Sequence, residues 1–216
     1  MLFPTSKATN LKVAKLKPFR IDCPIAGIYF LIPYIVESGI IDIVKECKLP
    51  SSCKIGSTQA NLSMLLLKSI GNERLSDIQA YDQEPAFGIF AGLNILPKAT
   101  FITTYSCRTS ELMLQQLQQK VVSNFRSQYP DFYQAKYFNL DFHSIPHFGT
   151  QSQMEKVWCG SRGKTLKGAN VLLAQDGSRS VILYTKADVL RKNEAQEKIG
   201  RILEENYWFY YRNACF

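Results

Sequence analysis

Between Ile25 and Cys47 the apolar residues Ile28, Leu31, Ile32, Ile35 and Val36 recur at helical spacing, and the series resumes after Gly39 with Ile40, Ile43 and Val44. Two short helices or one interrupted helix satisfy that pattern. Residues 48–56 read as a loop. Ser57 or Thr58 then offers a hydroxyl to cap a helix carrying Leu62, Leu65, Leu66 and Ile70, which Gly71 stops. Residues 60–70 and 73–81 have the loose outline of paired helices lying on DNA, with Arg74 and Gln79 as donors; a plain helical packing module fits the same residues. Residues 87–92 are short and apolar. A longer helix starts near Thr109 or Ser110, shows the stripe Leu114, Leu117, Val121 and Phe125 beside Gln115, Gln116, Gln118 and Gln119, and ends before Pro130. Such a helix braces the second half or bridges between parts.

After Pro130 the period changes. Strands are expected over 136–142, 166–174 and 179–185, the last two joined by a hairpin turn at Gln175-Asp176-Gly177-Ser178. Helical spacing returns over 193–207, with Glu194, Glu197, Glu204 and Glu205 on the polar side and Ile199, Ile202 and Leu203 for packing. Three strands followed by a helix suggest the start of a sheet covered by helices, so the expected class is α+β. The chain divides into a basic leader (1–20), a helical DNA-binding or packing region (21–108), a connecting helix (109–130) and a sheet-containing region (131–216).

At 216 residues, 46% hydrophobic and 20% charged, the chain has a globular composition and can bury one good core or two small ones. No run approaches the roughly 18 apolar residues of a membrane span, since residues 23–36 are interrupted by Pro24, Gly27 and Pro33. The leader carries Lys7, Lys12, Lys15, Lys17 and Arg20 without an acidic partner, but no small-residue cleavage pattern follows it. Secretion and membrane association are therefore not expected, and the cytoplasm is the expected compartment. None of the six cysteines forms a CxxC pair, which removes support for a zinc ribbon or redox dithiol and favours buried free thiols.

The net charge of +8 points to an anionic partner. Lys156, Arg162, Lys164 and Lys167 form a second basic cluster with no acidic residue between Lys156 and Lys167. DNA is the expected partner, set against a solvated basic surface without a ligand. Gly160-Ser161-Arg162-Gly163-Lys164-Thr165 resembles the end of a phosphate-binding P-loop, but Trp158 stands where that pattern needs its first glycine, and a strand follows instead of a helix. No nucleotide cofactor is expected. A basic loop on a nucleic-acid backbone accounts for Arg162, Lys164 and Lys167. Trp158, Phe148 and Tyr137 either stack on bases beside it or fill a core.

Asp141 is the strongest chemical candidate. Residues 137–149 read as a short apolar strand giving way to a turn bounded by Pro146 and Gly149, with the carboxylate where the strand ends. A carboxylate there suits a hard divalent cation held against a phosphate, or simply forms a turn. Asp176 fits its hairpin turn, and Asp188 follows a strand that ends elsewhere. His143 and His147 have the spacing of a helical metal pair, but Pro146 breaks that helix, which leaves structural or substrate-proximal roles.

In order along the chain, Gly92-Leu93-Asn94-Ile95-Leu96-Pro97-Lys98-Ala99-Thr100, Thr104-Tyr105-Ser106-Cys107-Arg108, the stretch from Asn139 to Gly149, Lys164-Thr165-Leu166-Lys167-Gly168-Ala169 and Ala174-Gln175-Asp176-Gly177-Ser178-Arg179 resemble the DDE-class insertion-sequence transposases of bacteria and archaea. The resemblance implies a helical N-terminal part before a ribonuclease-H-like core, whose first strand carries the first acidic metal ligand. That role falls on Asp141. It also implies Mg2+ as cofactor, DNA cleavage and strand transfer as activity, and a second Asp and a helical Glu on later elements that have no counterpart here. The expectation is therefore a truncated transposase with an incomplete three-stranded ribonuclease-H-like sheet and helix, inactive alone, binding DNA, a full-length transposase or itself. The competing expectation is a standalone DNA-binding or protein-interaction module without catalysis.

Overall fold

The computed structural model describes residues 20–134, 137–147 and 156–186. Two compact units, Met1–Leu114 and Gln115–Phe216, make up the chain.

The first unit is helical. A 3-10 helix, Ala26–Leu31, runs into α1 (Ile32–Glu37), and Gly39 at φ 69° turns the chain into α2 (Ile40–Glu46). The interrupted-helix expectation therefore resolves as separate short helices, broken where a left-handed residue is needed. α3 (Ser57–Ser69) starts after Gly56, so neither Ser57 nor Thr58 is its capping residue. Its far end closes as expected: Gly71 sits at φ 85°, with the Gly71 and Asn72 amides donating to the Lys68 and Leu67 carbonyls.

The second member of the expected helix pair is a 3-10 helix, Leu75–Tyr81, outside which Arg74 lies. The Arg74 amide donates to the Asp77 carboxylate at 3.1 Å, and Ile78 is fully buried. That local closure makes a tight packing turn, not a second α-helix. α4 (Pro85–Phe90) is mostly buried, with Gly88 pressed so close to the Ile95 backbone that an added Cβ would lie 2.6 Å away. α5 (Ala99–Arg108) has no counterpart among the expected elements. Its β-branched and hydroxyl residues obscure the helical signal, yet the hydroxyls of Thr103, Thr104 and Ser106 all bond back to carbonyls one turn earlier. Leu66, Leu67, Ile78, Phe87, Leu96 and Ile102 form the centre of this unit's core.

α6 (Glu111–Gln128) begins where expected, with the Ser110 hydroxyl accepting the Met113 amide at 3.3 Å, and stops before Pro130. The second unit contains a four-stranded antiparallel sheet of β1 (Phe138–Pro146), β2 (Lys156–Cys159), β3 (Lys164–Asp176) and β4 (Ile182–Lys186). Every other strand pairs with β3. β1 and β4 flank its opposite edges, since Leu172 to Gln175 pair with both. Helices in one unit and an antiparallel sheet in the other make the chain α+β.

The described sheet has four strands where three were expected, because β2 is too short for four residues of alternation to stand out. The alternation is nonetheless clean: Lys156 and Trp158 are exposed, Val157 and Cys159 buried. Val157, Cys159, Leu172, Ala174 and Asp176 belong to the buried face. Gly168 is required where β1 and β2 converge on β3, since a Cβ there would lie 2.3 Å from the Ile145 carbonyl oxygen and 2.7 Å from the Val157 side chain.

The cysteines form no disulfide among the described residues, but only Cys47 and Cys159 are buried; Cys53 and Cys107 are exposed, which corrects the expectation of uniformly buried thiols. No single described helix is long and apolar enough to cross a membrane. The helix expected over 193–207, Phe148, Asp188 and most of the basic leader lie outside the described residues.

Candidate nucleic-acid interface

Asp141 lies within β1, not at its end. It pairs with Leu173, and the ladder continues through His143–Val171 and Ile145–Ala169 to Pro146–Gly168. The strand tolerates Pro146 because β1 is an edge strand, paired with β3 alone among the described strands, where a proline need not interrupt the ladder. Asp141 is exposed, and Asn139 and His143 are exposed beside it on the same face by strand alternation. His143 therefore stands on a strand. His147 follows the strand and donates its backbone amide to the Lys167 carbonyl at 2.8 Å. That backbone bond does not involve the imidazole; it brings the end of β1 to the basic hairpin.

Among the described residues no three His, Cys, Asp or Glu side chains are grouped to hold a metal ion. Two-metal phosphoryl transfer needs several carboxylates converging on cations roughly 3.5–4 Å apart. The described donors around Asp141 do not fit that requirement, and no chemical step through Mg2+ follows from them.

The basic residues are distributed differently from the sequence expectation. β3 begins at Lys164, so Lys164 and Lys167 are strand residues, and the expected basic loop is a 3-10 turn, Gly160–Arg162, closed by Gly163 at φ 60°. Lys156 pairs directly with Lys167, and Trp158 pairs with Thr165 one same-face step further. Lys164 pairs with Cys159 and belongs to the opposite register, and Arg162 is exposed in the turn. All five expected DNA-binding residues, Arg74, Lys156, Arg162, Lys164 and Lys167, are exposed, but Arg74 belongs to the first unit and the other four to the second.

Asp141 shares its sheet face with Lys156, Lys167 and Trp158. Because it pairs with Leu173, it is six β3 positions from Lys167, on the order of 20 Å of strand. Carboxylate and lysine pair are thus two separate features of one face. Trp158, at 61% exposure, stands with the lysines, and Tyr137, also exposed, lies at the far end against Gly177.

Asp176 takes the turn role expected of it. Only 3% exposed, its carboxylate accepts the Ser178 amide and hydroxyl and the Arg179 amide at 2.8–3.0 Å. Burial pushes the Tyr133 phenol above its usual range, and the negative charge of Asp176 pushes it further the same way. Asp176 lies three β3 positions from Leu173, the partner of Asp141, and so belongs to the opposite face of the sheet from Asp141.

Sequence reasoning missed the Lys156–Lys167 pairing. Its signal was the Gly160 and Gly163 spacing of a hairpin between two short alternating runs. No protein-family model matches this chain, and neither does any curated protein or solved structure.

Proposed function

We propose that this chain is an incomplete DDE-class DNA transposase that retains DNA binding and does not cleave DNA alone. One observation carries the reading: after a helical unit, an exposed acid stands on the first described strand of an antiparallel sheet in which β1 and β4 flank β3. The resemblance to transposases assigns the first metal ligand of a ribonuclease-H-like core to the first strand of its sheet, which supports this reading. Asp141 supplies a single ligand, so cleavage requires further acids delivered to the same cation from outside the described sheet. DNA contact instead falls to Lys156, Lys167, Arg162 and Lys164, with Arg74 as a separate contact, and a complete transposase or a second copy is the protein partner. A binding module without catalytic ancestry is the alternative, favoured by the separation of the lysine pair from Asp141.

The test measures DNA binding across a salt series and nicking with Mg2+, for the wild type and Asp141→Ala. Salt-sensitive binding retained in the variant, without nicking by either protein, is the expected result. Mg2+-dependent nicking abolished by Asp141→Ala would overturn the claim of an incomplete centre. Downstream reading-frame sequence separates the two readings: a strand-borne Asp followed by a helical Glu supports the transposase, and their absence supports the module.

A further inference from the structure

We infer that the β2–β3 hairpin is a platform for unpaired nucleotides, with Trp158 stacking on a base and Lys156 and Lys167 holding the adjoining phosphates. This inference rests on the DNA-binding reading above and names the form of DNA that the site takes. Lys156 and Lys167 are direct cross-strand neighbours on the exposed side, where two like charges repel unless an anion lies against them. Trp158 and Thr165 form the next same-side pair, about 7 Å along the strand. One nucleotide can therefore set its phosphate on the lysines and its base on the indole.

The indole is available. Trp158 is 61% exposed although its strand neighbours Val157 and Cys159 are buried. Thr165 opposite is small, and Gly160, where an added Cβ would touch the indole nitrogen at 4.0 Å, has no side chain to crowd it. A duplex keeps the faces of its bases stacked on one another, whereas unpaired nucleotides leave those faces free to lie on an exposed indole beside basic side chains. The platform therefore selects single-stranded or locally opened DNA, as at a strand end, over intact duplex.

The experiment measures anisotropy of a labelled oligo-dT and a duplex of equal length against the full chain, the Trp158→Ala and Trp158→Phe variants, and the Lys156→Gln/Lys167→Gln double variant. Wild type should prefer oligo-dT. Trp158→Ala should weaken oligo-dT binding roughly 5- to 150-fold, the equivalent of one missing stack, and Trp158→Phe should recover most of it. The double lysine variant should lower the salt slope on oligo-dT by about 0.7 for each phosphate that is no longer neutralised. Equal binding of both DNA forms, or no effect of Trp158→Ala, overturns the platform while leaving DNA binding in place. Failure to bind either DNA overturns both readings, and binding only to anionic lipid vesicles assigns the surface to a membrane instead.

Discussion

Gln118 on α6 completes both backbone hydrogen bonds of Thr185 on β4: its amide oxygen accepts the Thr185 amide at 2.8 Å, and its amide nitrogen donates to the Thr185 carbonyl at 3.3 Å. The side chain thus takes the place of a neighbouring strand's peptide group at the outer edge of the sheet. Gln118→Ala is expected to cost about 0.5–1.5 kcal/mol, since water replaces part of what is removed at an exposed site. Gln118→Glu keeps the acceptor and loses the donor, so urea denaturation should place it between the wild type and Gln118→Ala.

Lys156→Glu should separate stability from binding. Opposite charges then face each other across the hairpin, and stability should rise by about 0.2–1 kcal/mol. The same change should weaken DNA binding and flatten its salt dependence. A variant that loses both stability and binding would show that Lys156 serves the fold.

Gly168→Ala should destabilise the sheet by about 1–3 kcal/mol, because the new methyl meets the Ile145 carbonyl and the Val157 side chain at distances no side chain tolerates. Gly163→Ala meets nothing within 4 Å and is strained only by its φ of 60°. Thermal melts should therefore show the smaller loss for Gly163→Ala, on the order of 1 kcal/mol.

Alkaline pH should loosen the fold. Tyr29, Tyr105 and Tyr133 all have phenol pKa values raised above 10.0, in each case chiefly by burial, with Asp176 adding to the effect at Tyr133. The folded chain then holds protons that the unfolded chain has released, so this stabilisation is complete below pH 10.0 and declines as pH climbs through the raised folded values. Tyr133→Phe should make the decline shallower in pH-dependent melts.

Strong local punctuation was legible in the sequence. Gly39 and Gly71 end helices at left-handed positions, Ser110 and Pro130 bracket α6, and the residues after β3 form the expected turn through Asp176. Elements whose identity depends on distant packing were harder to read. α5 hides behind threonines that bond back to its own carbonyls, and β2 shows its alternation only when set against β3. Asp141 was legible as an exposed acid but misplaced at a strand end, because Pro146 looked like a breaker when it is the last rung of the ladder. The position of the lysine pair relative to Asp141 is a matter of register across two hairpins, which linear spacing does not reveal.

β3 carries both features on one backbone, with Leu173 answering Asp141 and Lys167 answering Lys156. An even count separates those two positions, and this parity keeps carboxylate and ammonium groups on a common side. A single residue inserted between them would reverse one end relative to the other. Apart from the close fit at Gly168, this stretch of strand is thus a ruler whose length matters more than the identity of its side chains.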